Sequence, residues 1–182
     1  DFDVINIQEE WNKPTERENR MHCIHAYPAK FPAFITTMAI QKAEQKNIKV
    51  DTVADIFCGC GTVAFEAVRS GKNFWGCDIN PVATLIAKVK SQVYNDAILE
   101  EYFDEIVSSF KTSIADKNNI IYANERVKYW FDEAQIDDLL KLRSAIYRNV
   151  KNEYYLRFFL CAFSNSCMAA IKAFTSSIVQ AL

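Results

Sequence analysis

Three things are scarce in this chain, and each scarcity narrows what the protein can be. Basic charge is not in excess: 21 Lys and Arg face 23 Asp and Glu, for a formal net charge of -2. A self-sufficient nucleic-acid binder normally carries a basic surface that neutralises phosphates. Any contact with DNA must therefore be local or come from elsewhere. No C-x-x-C pair occurs among the six cysteines, Cys23, Cys58, Cys60, Cys77, Cys161 and Cys167. That excludes the spacing of a zinc knuckle or dithiol redox site, so reduced thiols and a cytoplasmic setting are expected. Long apolar runs are missing too. The most apolar stretch, Tyr154 to Phe174, is broken by Arg157, Asn165 and Lys172, which predicts a buried helix and no membrane span.

What is present points to a folded domain. Half of the 182 residues are apolar and 13% are aromatic, enough for one domain with a real core and too few residues for two ordinary ones. The chain opens on Asp1 instead of Met, which predicts that its parent extends further at the front. Residues 1–20 are polar, with Lys13-Pro14 and the charge run Glu16, Arg17, Glu18, Arg20, and read as an extended arm.

Residues 21–95 carry a strand-helix-strand-helix pattern. Pro32 suits a first helical position, with a helix to about Lys46. An apolar strand over Val50–Phe57 ends in glycines, and a helix over Thr62–Ser70 closes at Gly71, which can take the left-handed conformation. Asn73–Cys77 makes a short second strand. From Pro81, Val82, Leu85, Ile86, Val89 and Val93 follow the helical period, with Lys88 and Lys90 facing away. Residues 96–182 read as mainly helical, with stripes at Leu99, Phe103, Ile106, Phe110, Ile114 and at Ile136, Leu139, Leu140, Tyr147, Val150. Asn119–Ala123 is the one candidate strand among them, and Trp75 and Trp130 read as core or interface aromatics.

The chemistry concentrates at Asp55-Ile56-Phe57-Cys58-Gly59-Cys60-Gly61-Thr62, where the first strand turns into its helix. Glycines at 59 and 61 let the backbone turn sharply and approach a ligand that a Cβ would crowd. The helix that follows offers free N–H groups to an electron-rich ligand group. Asp78, at the end of the second strand, is placed to accept hydrogen bonds from two ribose hydroxyls. Ile79 and Pro81 flank it, ready to pack on an adenine. A bare G-x-G-x-x-A leaves a dinucleotide fold open, and an ordinary ligand-free turn is the bland alternative. His22, Cys23 and His25 with Cys58 and Cys60 do not match metal-ligand spacing, so no metal residue is assigned. Lys30 reads equally well as ligand-facing or as an ordinary exposed lysine, and Asp55 has the alternative of a cap or solvated loop acid.

Taken together, Asp55-x-Phe57-Cys58-Gly59-x-Gly61-Thr62 closely resembles the D-P-F-C-G-S-G-T motif of the S-adenosylmethionine-dependent DNA methyltransferases that modify adenine N6 or cytosine N4. Ile56 replaces the usual proline and Cys60 the usual serine. Gly76-x-Asp78-Ile79-Asn80-Pro81 resembles their second motif. Tyr27-Pro28-Ala29-Lys30-Phe31 is similar to the segment, ahead of the glycine loop, that closes over the methionine end of the cofactor. The resemblance covers about Met21 to Lys90 well. It implies an α/β fold, a partial class I methyltransferase (Rossmann-like) parallel sheet with a helical C-terminal region. It also implies S-adenosylmethionine as cofactor, held by Tyr27, Pro28, Lys30, Phe31, Asp55, the loop Phe57, Cys58, Gly59, Cys60, Gly61, Thr62, and Asp78, Ile79, Asn80, Pro81.

The family's catalytic motif, an Asp, Asn or Ser followed by Pro-Pro and an aromatic residue that stacks on an extruded base, is absent. The prolines are Pro14, Pro28, Pro32 and Pro81, with no adjacent pair. No catalytic residue is therefore assigned, and the chain is expected to be a fragment or one subunit of a restriction-modification methyltransferase. DNA would be bound by the complete enzyme, and a second polypeptide or missing C-terminal half would carry the motif. The alternative is a non-catalytic cofactor-binding or regulatory subunit, or a decayed remnant.

Overall fold

The computed structural model describes residues 18–28 and 30–181. The arm expected over residues 1–20 lies mostly outside them, as does Ala29. The chain divides into two compact units, residues 1–91 and 92–182.

In the first unit a single 3-10 turn, Arg20–Cys23, leads to helix α1 (Ala33–Gln45), strand β1 (Thr52–Asp55), helix α2 (Thr62–Arg69), strand β2 (Asn73–Gly76) and helix α3 (Pro81–Lys90). Helices α1 and α2 both end in the same way. Asn47 and Gly71 take positive φ (58° and 72°), and the next N–H groups turn back, Ile48 to the Ala43 carbonyl and Lys72 to the Ala67 carbonyl. This six-to-one closure satisfies carbonyls the helix would otherwise leave open. Pro32 has extended geometry and sits one place before the first helical residue, a shift of one position from expectation. At α3 the Asn80 side chain accepts from the Val82 N–H while Pro81, which has no N–H to satisfy, begins the helix.

Strands β1 and β2 pair in parallel, with Thr52, Val53, Ala54 and Asp55 opposite Asn73, Phe74, Trp75 and Gly76. Helix α2 packs on both strands and on α1 and α3. The two faces of the sheet differ. Val53, Phe74, Asp55 and Gly76 are half-buried, whereas Thr52, Ala54, Asn73 and Trp75 are exposed. Trp75 is 57% exposed, so it is no core residue. Parallel sheets ordinarily carry cover on both faces; among the described residues, this one has it on one.

Helix α3 keeps Ile86 and Val89 of the expected face and corrects the rest. Its buried residues are Ala83, Ile86, Ala87, Val89 and Lys90, while Val82 is exposed and Val93 lies beyond the helix, also exposed. The small alanines mark the closely packed side, and Lys90 falls on it four residues after Ile86. Lys88 alone faces away as expected.

The second unit contains α4 (Asp96–Thr112), α5 (Glu125–Trp130), α6 (Glu133–Asn149) and α7 (Glu153–Ala181). The Asp132 carboxylate accepts from the Gln135 N–H and the Gln135 side chain accepts from the Asp132 N–H, a reciprocal cap that starts α6. Ile106, Ala145, Ile146, Val150 and Phe159 form the buried cluster, with Leu99, Phe110, Tyr155 and Phe163 packed against it. Phe103 and Ile114, expected on the same stripe, are exposed. The Asn119–Ala123 stretch is no strand: the Asn119 side chain caps the Ile121 N–H and a single 3-10 turn follows, Ile120–Ala123. Trp130 is half-buried, edge-on to Tyr129. Among the described residues, no helix is long and apolar enough to cross a membrane.

Candidate functional site

The glycine loop begins where β1 runs out. The Asp55 carboxylate accepts from the Phe57 N–H two residues on, at 3.0 Å, a local turn that short acidic side chains favour. The ladder then reaches past the formal strands. The Cys77 N–H donates to the Asp55 carbonyl at 3.2 Å and the Cys58 N–H to the Cys77 carbonyl at 3.0 Å. From there the chain reverses tightly, with the Gly61 N–H on the Cys58 carbonyl at 2.8 Å.

The two glycines of the loop do different jobs. Both have positive φ, 49° at Gly59 and 74° at Gly61. A Cβ on Gly59 would meet nothing nearer than the Phe57 carbonyl oxygen at 4.0 Å. One on Gly61 would stand 2.5 Å from the Cα and Cβ of Ala87 on α3. Gly61 thus permits close packing of loop on helix, and Gly59 leaves open space above the loop. The expectation that a Cβ at either position would crowd a ligand is corrected at Gly61, where it would crowd α3.

Asp78 locks the second strand end to this loop. One carboxylate oxygen accepts from the Gly59 N–H at 2.9 Å and the other from the Asn80 N–H at 2.8 Å. The apolar flanks stand out into solvent: Phe57 is 82% exposed and Ile79 fully exposed. Pro81 is exposed and Asn80 half-buried. Inside the loop, burial pushes the Cys58 thiol above its ordinary pKa, and the charges of Asp55 and Asp78 and neighbouring Cys77 push the same way. Cys58 is therefore a neutral packing thiol at physiological pH. Cys60 is buried, and Thr62, first residue of α2, is buried with no hydrogen-bond partner for its hydroxyl among the described residues.

The segment ahead of α1 is tied to the same unit by two residues outside the family-like motifs. His22, buried edge-on against Phe65, meets Glu66 of α2 at 2.8 Å, and Arg69 lies 3.5 Å from the other Glu66 oxygen. Lys30 donates to the His22 carbonyl at 2.8 Å and lies 3.8 Å from Glu18. Lys30 thus braces the chain that carries Tyr27, which is half-buried, and Pro28 and Phe31, which are exposed. The sequence clue to this bracing was Glu66, a lone acid among Val63, Ala64, Ala67 and Val68. A second unforeseen residue is Lys90, whose ammonium donates to the Cys60 carbonyl at 3.1 Å. Among the described residues, no cluster of three or more His, Cys, Asp or Glu side chains is placed to hold a metal ion.

The geometry can be set beside known proteins. Residues 2–89 match the family described as DNA methylase. Among curated proteins, the chain is 25% identical over 158 residues to the Type II methyltransferase M.MvaI of Kocuria varians, covering 84% of this chain and 35% of that protein. It is 31% identical over 97 residues to the Type II methyltransferase M.MjaII of Methanocaldococcus jannaschii, covering 53% of this chain and 18% of that protein. The chain therefore spans roughly a third or less of the relatives it matches. No solved structure matches it significantly. The matched segment contains the loop, Asp78 and α3 up to Val89, and it is over this segment that the chain is similar to the N6-adenine/N4-cytosine DNA methyltransferase family.

Proposed function

We propose that this chain is the S-adenosylmethionine-binding part of a DNA methyltransferase that modifies an exocyclic amino group, in a restriction-modification setting. The observation that carries the reading is the grip of Asp78 on the Gly59 N–H at 2.9 Å. It brings an acid, a left-handed glycine with open space above it, and the N-terminus of α2 to one strand end, the place where open α/β sheets bind nucleotides. The residues fit the cofactor. Gly59 gives clearance for the methionine part, and the unpartnered Thr62 hydroxyl and first N–H groups of α2 offer donors to its carboxylate. Each Asp78 oxygen retains a lone pair for a ribose hydroxyl. Exposed Phe57 and Ile79 present apolar surface to the adenine. The bound cofactor supplies the electrophilic methyl group; the chain's own residues bind and orient it.

The partners follow from what is bare. The uncovered face around Ala54 and Trp75 calls for covering helices, and the edges of the two-stranded sheet call for the other strands of a Rossmann-like sheet, carried by further residues of the parent protein or by a second polypeptide. That part would also bring the Pro-Pro-aromatic loop and the DNA contacts. A cytoplasmic location suits the six free thiols.

The ribose role is tested by calorimetry with S-adenosylmethionine and an analogue lacking both ribose hydroxyls. Replacing Asp78 by Ala removes charged hydrogen bonds worth roughly 1.5–3 kcal/mol each, so affinity should fall about tenfold or more. It should also erase the preference for the hydroxylated ligand, which separates ribose binding from mere loosening of the loop. A variant that binds weakly but still prefers the hydroxylated ligand would assign Asp78 to loop architecture alone.

A further inference from the structure

Among the described residues, Lys90 is the largest of the fully buried side chains, at 1% exposure, and it is the last residue of α3. Burying an ammonium costs several kcal/mol unless partners replace water. Its replacements here are sparse: the Cys60 carbonyl at 3.1 Å and the Cys60 sulfur at 3.6 Å. An aliphatic side chain would avoid that cost, and the other buried residues of α3, Ala83, Ile86, Ala87 and Val89, are all apolar. The charge meets the carbonyl of Cys60, the residue between Gly59 and Gly61, from within the folded unit. We infer that Lys90 is a positioning residue: its ammonium holds the Cys60 carbonyl, fixes the loop that carries Gly59 and Gly61, and adds positive potential beneath that loop for the anionic end of the cofactor. The inference rests on the cofactor reading above.

Burial lowers the Lys90 pKa, the Cys60 sulfur and its hydrogen bond raise it, Lys30 lowers it and Glu18 raises it. These are the groups that face the ammonium from the loop and from the segment ahead of α1. If binding needs the charged form, affinity is complete below the Lys90 pKa and declines as pH rises through it. By linkage, bound ligand must then raise that pKa.

The experiment uses the full chain with 13C-labelled lysine and S-adenosylhomocysteine, which survives alkaline pH. Saturating ligand should raise the pKa read from the Lys90 resonance by about one unit, equivalent to about tenfold tighter binding by the charged form. In calorimetry, Lys90→Met should bind about tenfold more weakly at neutral pH. Lys90→Arg should bind nearly as wild type and lack the part of the alkaline decline that belongs to Lys90; the ligand's own amino group titrates alike in every variant and cancels in the ratios. An unmoved Lys90 resonance in a chain that binds ligand, or full affinity in Lys90→Met, overturns the inference and leaves the cofactor reading standing. If Lys90→Met does not fold, the wild-type resonance decides. A wild-type chain that binds no ligand overturns both.

Discussion

Given duplex DNA and radiolabelled S-adenosylmethionine, this 182-residue chain alone is expected to transfer no methyl group above the uncatalysed background. The amino nitrogen of adenine or cytosine is a poor nucleophile because its lone pair is delocalised into the ring. Transfer needs acceptors that localise that pair and an aromatic surface that holds the extruded base in line with the methyl group. The four prolines, none adjacent, include no Pro-Pro-aromatic segment to supply them. The net charge of -2 offers no broad grip on phosphates either. Adding the complementary part of the enzyme should restore activity, and the chain should bind cofactor before the addition. Robust methylation by the chain alone would show that another residue set performs the catalytic step.

The second large effect separates the two loop glycines. Replacing Gly61 by Ala puts a Cβ 2.5 Å from backbone and side chain of Ala87, with overpacking strain of roughly 1–3 kcal/mol. A left-handed backbone adds roughly 1–2 kcal/mol. For a small unit, that sum should lower the melting midpoint by about 10 °C or more. Gly59→Ala carries the backbone penalty without the clash, since its nearest neighbour would lie at 4.0 Å. It should melt closer to wild type yet lose about tenfold or more in S-adenosylmethionine affinity, because the methyl group stands in the space left for ligand. Thermal melts paired with calorimetry distinguish the two. If Gly59→Ala keeps full affinity, the open side of the loop is not where the ligand lies.

The legible parts of this protein were those fixed by local chemistry. The strand-turn-helix at Asp55 to Thr62 and the closure at Gly71 follow from residues whose backbone preferences are strong at short range. Asp78 was legible as a strand-end acid, but its hold on the Gly59 N–H is a contact across nineteen residues that no local pattern states. The face of α3 is legible at Ile86 and Val89, which are buried, and not at the large residues Val82 and Val93, which are exposed. The true packing side was marked by Ala83 and Ala87, small enough for the loop to approach. Lysine is rarely fully buried, so sequence alone turned Lys90 outward. His22 with Glu66 escaped for the converse reason, since two polar residues forty-four positions apart reveal their partnership only once folded. Asn119 to Ala123 looked like a strand by its apolar content, yet the asparagine before it favoured a capped turn.

Trp75 gives this protein an optical property of its own. An indole that stands more than half in water emits at long wavelength, and moving it into an apolar contact shifts that emission to the blue. Because Trp75 lies on the sheet face that has no cover among the described residues, the shift would read the docking of whatever completes the sheet, without any attached dye. With Trp11 replaced by Phe, the background comes from Trp130, which already rests against Tyr129 in the helical unit. A Trp75→Phe variant would silence the signal while leaving an aromatic surface in place, so that any shift it lost would belong to the Trp75 ring alone.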